Sequence, residues 1–380
     1  MSNWDHILLY SIVFSSFTIF TIKISKKTYS RKEIIKLFLI PALIYALVES
    51  LRYNRGVDYL HYEQIYKWGY TEGTQFLFDL LNNLLNSIGL DFSGALFVYE
   101  IILLIGICWL ISSYSVDIGK WMYFLAILAM LNLHENLIRQ YVALPLIFCS
   151  IYYMFQKKWL IMFLFIVCAN FIHSGTIFVC PVILLFYYAI KKTIPWHIAI
   201  GTLFLTYFIL SIDASSLFLT LLQKLNIGAF IYSEHLMHYI EDSDRWLGKD
   251  SVLANAQQTL VTKTMQFLFE SGIIISSYIA LKIQKERKIQ CFYNIIVFAF
   301  VLCRLVHGYE ILSRIFNQLY IFWFIPLGCA LYVLNNKRSD LKSTGLLNAM
   351  RFNVFIAIGY LVLYWGRFIF FNPKAVFIWD

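Results

Sequence analysis

Four short polar clusters hold the residue types that could do chemistry in this chain. The stretch LRYNRGVDYLHYEQIY, Leu51 to Tyr66, places Arg52 and Arg55 three residues apart, ahead of Asp58 and Tyr59. HENLIRQ, residues 134–140, ends in Arg139 and Gln140. His173 and Ser174 form a third polar pair between two apolar runs. RLVHGYEILSR, residues 304–314, carries Arg304, His307, Tyr309 and Arg314. Arginine stays charged and grips phosphate oxygens with a planar fork. A carboxylate or a neutral histidine can take the proton of an incoming hydroxyl. Spacing in the fourth cluster predicts that Arg304, His307, Ile311 and Arg314 share one helical face, with two cations flanking an imidazole.

Each of these residues also has a plainer reading. Arginines near the ends of apolar spans snorkel to headgroups. Asp58 can pair with Arg55, and Gly56 can mark a turn. Tyr62 and Tyr66 suit an interfacial aromatic belt. His235 and His238, in HLMH, lack a glutamate at the offset of a metal-binding helix, so no metal site is expected. Five arginines gathered in clusters that share one side of the chain's topology are harder to dismiss together, because ionisable groups at membrane depth are functional candidates.

The elements that must position these clusters are apolar. Of the 380 residues, 60% are hydrophobic and 14% charged, and the apolar ones come in long blocks. That pattern predicts an all-α polytopic integral membrane protein. Twelve spans are expected, near 7–22, 34–48, 92–112, 120–133, 140–156, 159–172, 176–190, 195–212, 262–281, 290–306, 314–334 and 350–371. Residues 1–380 read as a single membrane domain with two elaborations. One is segment 49–91, where apolar residues at 77, 80, 81, 84, 85 and 88 predict an amphipathic interfacial helix. The other is the large loop 213–261.

The net charge of +9 does not indicate nucleic acid, because most basic residues sit in alternate short loops. Lys23 to Lys36, Lys120, Lys157–Lys158, Lys191–Lys192, Lys282 to Lys288 and Lys337 to Lys342 mark those loops. The positive-inside rule makes them cytoplasmic, so both termini and all four polar clusters face outward. The 7 cysteines lie in apolar runs without a CxxC pair and read as small buried hydrophobes.

Outward arginines at interface depth suit a polyprenyl diphosphate, whose tail lies in the bilayer and whose diphosphate sits at the surface. Breaking a sugar–diphosphate bond puts negative charge on the leaving group, and preorganised arginines stabilise it without a metal. The candidate diphosphate ligands are Arg52, Arg55, Arg139, Arg304 and Arg314; Tyr59, Gln140 and Tyr309 are candidate sugar contacts. The base is one of His307, Asp58 and His173, with His307 favoured by its place between two cations.

R-x-x-R-G-V-D-Y-x-x-Y (Arg52 to Tyr62), N-L-I-R-Q (Asn136 to Gln140), H-S-G (His173 to Gly175) and Arg314 in S-R-I-F resemble the EpsG-like, Wzy-type polymerases of bacterial exopolysaccharide, capsule and O-antigen. Two departures stand out: Val57 follows the Arg-Gly pair, and Ser-Gly follows His173. The resemblance implies a membrane glycosyltransferase that moves a growing glycan from undecaprenyl diphosphate to the next lipid-linked repeat unit. It implies the outer face of the bacterial cytoplasmic (inner) membrane, no cofactor, no metal, and a chain-length regulator as protein partner. By motif position it carries over to Arg52, Arg55, Asp58, Tyr59, Arg139, Gln140 and His173. A lipid-linked glycan ligase and a flippase of lipid-linked glycans are the competing readings. A flippase calls for cations along a central path, whereas mid-span charge here is confined almost to Glu100 and Glu270.

Overall fold

The computed structural model describes residues 4–56, 58–69, 75–209, 259–306, 310–371 and 377–378, without the side chains of 132–136 and 310–312. The described residues are helical almost throughout. In chain order the helices are α1 (Trp4–Lys26), α2 (Arg31–Ser50), α3 (Tyr59–Trp68), α4 (Phe76–Ser87), α5 (Phe92–Ile111), α6 (Val116–Gly119), α7 (Met122–Asn136), α8 (Ile138–Phe155) and α9 (Trp159–Ile172). A 3-10 turn, Ser174–Phe178, leads into α10 (Val179–Tyr188), followed by α11 (Trp196–Phe208), α12 (Leu260–Ile283) and α13 (Arg287–Leu305). Then come α14 (Glu310–Tyr320), α15 (Phe324–Asn336), α16 (Arg338–Ser343) and α17 (Leu347–Phe371).

A helix stands at each of the twelve expected segments. Length and composition support 7 of them as membrane crossings: α1, α5, α8, α12, α13, the run Ser313–Asn336 and α17. Helices α9, α10 and α11 are apolar but shorter, as is Met122–Leu131 within α7. Segment 49–91 folds as α3 and α4. Helix α4 buries Phe78 and Leu85 while Phe76, Leu80, Leu84 and Ile88 stay exposed at i, i+4 spacing. The large loop 213–261 lies almost wholly outside the described residues.

Helix boundaries have local causes. Ser30 caps α2 in a capping box, its hydroxyl accepting from the Glu33 amide while Glu33 accepts from the Ser30 amide at 2.7 Å. Asp91 caps α5 by accepting from the Gly94 amide at 2.8 Å. Consecutive long helices then pack as neighbours: α1 on α2, α2 on α5, α5 on α8, α8 on α9. The C-terminal half packs around α12, which contacts α11, α13, α15 and α17, and α17 returns to α1. Two glycines permit the tightest crossings. A Cβ on Gly106 would stand 2.6 Å from Pro145 Cα, and one on Gly272 would stand 2.8 Å from the Asn353 carbonyl oxygen. Small residues at such crossings let backbones approach, which is what holds helices together in lipid.

The bundle has two chemically distinct ends. At one, the basic loops meet: Arg31 donates to the Tyr114 carbonyl at 2.8 Å and Lys288 to the Ser113 carbonyl at 2.5 Å. Arg287 closes the C-terminus of α10, donating to the Phe186, Tyr187 and Ile190 carbonyls. Lys288 Nζ also lies 5.1 Å from the Phe155 ring, which brings in the α8–α9 turn. The alternation of basic loops along the chain is thus realised in space. At the opposite end lie the C-terminus of α2, helix α3, the start of α8, the end of α9, and α14.

Candidate functional site

Arg139 and Gln140 occupy the first turn of α8, which Leu137 alone separates from the end of α7. Gln140 donates from Nε2 to the Arg314 carbonyl at 3.2 Å, which ties α8 to α14. One turn further along α14, Gln318 donates to the Gly175 carbonyl at 3.2 Å. Those two amide contacts join three pieces of chain more than a hundred residues apart in part: the start of α8, the turn after α9, and α14.

His173 sits where α9 stops. Its backbone is extended, at φ −152° and ψ 111°, and its amide still donates to the Ala169 carbonyl. Its own carbonyl accepts from the Thr176 amide at 3.1 Å and the Thr176 hydroxyl at 2.8 Å, which locks the turn. The ring folds back over Gly175, where a Cβ would stand 3.0 Å from His173 Nε2. Burial is the main cause that pushes the His173 imidazole down to about 3, and the Arg139 and Arg314 guanidiniums reinforce it. The imidazole is therefore neutral at physiological pH, and its Nδ1 is buried with no hydrogen-bond partner among the described residues.

A base flanked by two cations was expected at His307; His173 is the described histidine that has this arrangement. The expected single helical face running from Arg304 to Arg314 does not form. Helix α13 ends at Leu305 and α14 begins at Glu310, so Arg304 and Arg314 belong to different helices. His307 and Tyr309 lie outside the described residues. Arg304 turns to Glu270 of α12, with Nη2 3.6 Å from Oε1, and its guanidinium lies 4.6 Å from the Tyr207 ring. Tyr320 donates to the same Glu270 oxygen at 3.1 Å.

Arg52 and Arg55, expected to face a diphosphate, are each 1% exposed and enclosed by the protein. Arg52 Nη1 lies 3.1 Å from Glu49 Oε2 and 4.0 Å from Glu100 Oε1. Arg55 Nη2 lies 3.4 Å from Glu49 Oε2 and 2.5 Å from the Tyr10 hydroxyl, which itself donates to Glu49. Arg55 Nη1 approaches His6 Nδ1 at 3.3 Å, so His6 accepts there and its Nε2 donates to the Phe368 carbonyl at 3.0 Å. Phe377 lies 5.5 Å from the Arg55 guanidinium, and the Ile378 amide donates to the Leu51 carbonyl. Two cations and two carboxylates thus balance in a buried network that joins α1, α2, α5 and the C-terminal residues, as burial of charge requires. The motif's arginines position the chain around it; Gly56, at φ +106°, makes the turn that follows.

Asp58 precedes α3, where its carbonyl accepts from the Tyr62 amide at 3.0 Å and its side chain does not cap the helix. Tyr59 is packed between the rings of Tyr53 and Phe92, and burial pushes its phenol above the usual range. Tyr62, read from the sequence as an interfacial anchor, instead lies under a guanidinium: Arg139 is 5.4 Å from its ring centroid.

Sequence reasoning missed Tyr62 as a partner of Arg139, missed Gln318 altogether, and had no role for Glu49. Glu49, one turn before Arg52 at the end of an apolar run, was the signal available for the enclosed network. Among the described residues no three His, Cys, Asp or Glu side chains gather where they could hold a metal ion. Two guanidiniums beside a neutral, part-buried imidazole can bind an oxyanion and accept a proton next to it.

Neither a curated protein nor a solved structure matches the chain. The EpsG family does match, over residues 35–377, a stretch that runs from within α2 past α17 and takes in Arg139, His173, Arg314, and Arg52 and Arg55 with their carboxylate partners Glu49 and Glu100. The chain belongs to the EpsG family.

Proposed function

We propose that this polysaccharide polymerase-like membrane protein joins undecaprenyl-diphosphate-linked oligosaccharide repeat units at the outer leaflet of the bacterial cytoplasmic membrane. The observation that supports this reading best is the His173 imidazole, held neutral beside Arg139 and Arg314. Arg139 and Arg314 grip the donor's diphosphate, and the first turn of α8 turns its positive dipole end toward it. The acceptor's hydroxyl oxygen bonds to the anomeric carbon of the donor glycan. The bond from that carbon to the diphosphate oxygen breaks, and its electron pair stays on the diphosphate, where the guanidiniums rather than a metal ion meet the new charge. The hydroxyl proton passes to His173.

In this reading Arg52 and Arg55 are positioning residues that hold the end of α2 and the approach to α3. Asp58 faces the glycan at the start of α3 with Tyr59 packed behind it, and His307 and Tyr309, which lie outside the described residues, keep their expected roles, His307 as the alternative base. The substrate itself offsets the part of His173's low starting basicity that the two arginines cause. A bound diphosphate cancels the charge of both arginines and makes the imidazole a better proton acceptor at the moment it is needed.

Reconstitution of the full chain in liposomes with a defined undecaprenyl-diphosphate-linked repeat unit tests the reading. The expected product is a ladder of glycans that grow by whole repeat units, with release of undecaprenyl diphosphate. Transfer of a single glycan to another acceptor without a ladder replaces the reading with a ligase. Movement of the intact lipid-linked unit across the bilayer without bond formation replaces it with a flippase.

A further inference from the structure

Gln140 and Gln318 have an unusual feature in common. Each is almost fully buried, at 4% and 2% exposed. Each spends its amide nitrogen on a backbone carbonyl, Gln140 on Arg314 and Gln318 on Gly175. A carbonyl accepts and cannot donate, so both side-chain amides are fixed with nitrogen toward that carbonyl and oxygen turned away. Both Oε1 atoms are then buried with no hydrogen-bond partner among the described residues, and so is Nδ1 of His173. An unmet buried acceptor costs about 1–3 kcal/mol, so these two glutamine oxygens call for a partner that brings donors.

The three side chains form one connected chain of contacts. Gln140 reaches the backbone of Arg314, Gln318 lies one helical turn beyond Arg314, and Gly175, held by Gln318, stands under the His173 ring. The nearby cations, Arg139 and Arg314, supply N–H groups that suit a phosphate; the two glutamine oxygens suit the opposite chemistry. A ligand with several O–H groups and an anionic end would use both.

We infer that Gln140 Oε1 and Gln318 Oε1, with the His173 ring beside them, form a hydroxyl-binding subsite that takes O–H donors of a sugar ring, with Gln318 the residue that selects for a hydroxyl over an ether. The subsite rests on the polymerase reading only for the statement that the sugar belongs to a lipid-linked glycan. Its chemistry, two acceptors awaiting donors, stands on the amide orientations alone. Gln318 touches the sugar directly in this assignment and also anchors the His173 turn through Gly175.

The test compares two probes on the purified full chain in a sugar-free amine-oxide detergent. One is n-octyl-β-D-glucoside, which carries O–H donors; the other is its permethylated form, which keeps the ring and the oxygens but has no donor. Binding is read by the shift in melting temperature with probe concentration and by titration calorimetry. Each hydroxyl contact is worth about 2- to 12-fold in affinity, so the glucoside is expected to bind at least that much more tightly than its permethyl ether. In Gln318→Met, which keeps the volume and loses the acceptor, that preference shrinks by the same factor. In Gln318→Glu, which keeps an acceptor, it persists. Equal binding of the two probes to the wild-type chain overturns the subsite without any variant having to fold. A preference that survives intact in Gln318→Met removes Gln318 from it. A hydroxyl preference in a chain that fails to extend any lipid-linked repeat unit leaves the subsite standing and overturns the polymerase reading instead.

Discussion

Arg139, in the first turn of α8, holds its guanidinium carbon 5.4 Å from the ring centroid of Tyr62 on α3. The two residues are far apart in sequence, and the contact fixes a cation that would otherwise be repelled by the positive end of its own helix. A cation over an aromatic face is worth about 0.5–2 kcal/mol, more where water is excluded. Tyr62→Leu should therefore slow chain extension by about 2- to 30-fold, whereas Tyr62→Phe, which keeps the ring, should stay near the native rate. Single-turnover extension of a lipid-linked repeat unit measures both.

Arg139→Lys and Arg314→Lys should leave the protein folded and cost most of its activity. Lysine keeps the charge but loses the fork that meets two phosphate oxygens. Each lost charge-assisted bond costs about 1.5–3 kcal/mol, or roughly 10- to 150-fold in rate. Native rates in both lysine variants would assign these arginines to lipid headgroups.

Arg52 and Arg55 should behave in the opposite way. Removing one partner of a buried ion pair leaves the other charge uncompensated, at about 3–5 kcal/mol. Arg55→Met is expected to lower the melting temperature and the yield of folded protein, because Glu49 and Tyr10 lose their common partner. A normal melting temperature in detergent, together with lost donor binding, would return Arg55 to the diphosphate site.

His173 makes a prediction about pH. Its folded value, about 3, lies below the ordinary 6.5. Between those values the unfolded chain binds a proton that the folded chain does not. Stability should therefore fall as pH drops from about 6.5 toward 3. His173→Gln removes that proton, so its melting temperature should depend less on pH across this window than that of the wild type. A positioned base is also worth about 100- to 10,000-fold, so the same variant should lose at least the lower figure in rate. An unchanged pH slope would mean that the imidazole titrates in the folded protein as it does in water.

Gly272→Val should destabilise the bundle with no direct effect on the site. Its Cβ alone would stand 2.8 Å from the Asn353 carbonyl oxygen, which belongs to the backbone of α17 and cannot swing aside. Overpacking of this kind costs about 1–3 kcal/mol. The variant should melt at a lower temperature while retaining its rate per folded molecule below that temperature.

The amino-acid sequence by itself determined the membrane character, the places where helices stand, and the alternation of basic loops. Each of these depends on runs of neighbouring residues: an apolar run must be helical in lipid to satisfy its own backbone, and lysines stay on one side because crossing is costly. It also singled out Arg139, His173 and Arg314 as residues of interest. What only the tertiary structure decided is which of the clustered residues meet. Arg52 and Arg55 look like open ligands in sequence, yet Glu49, Glu100, Tyr10 and His6 from three helices enclose them. Arg304 and Arg314 look like one helical face, yet α13 stops at Leu305 and Glu270 of α12 takes Arg304. Gln318 has no local pattern that marks it; its role exists only because α14 lies against the turn at Gly175. The physical reason is common to all three. Burial and ion pairing depend on partners brought in from distant segments, and residue type and spacing along one segment carry no record of them.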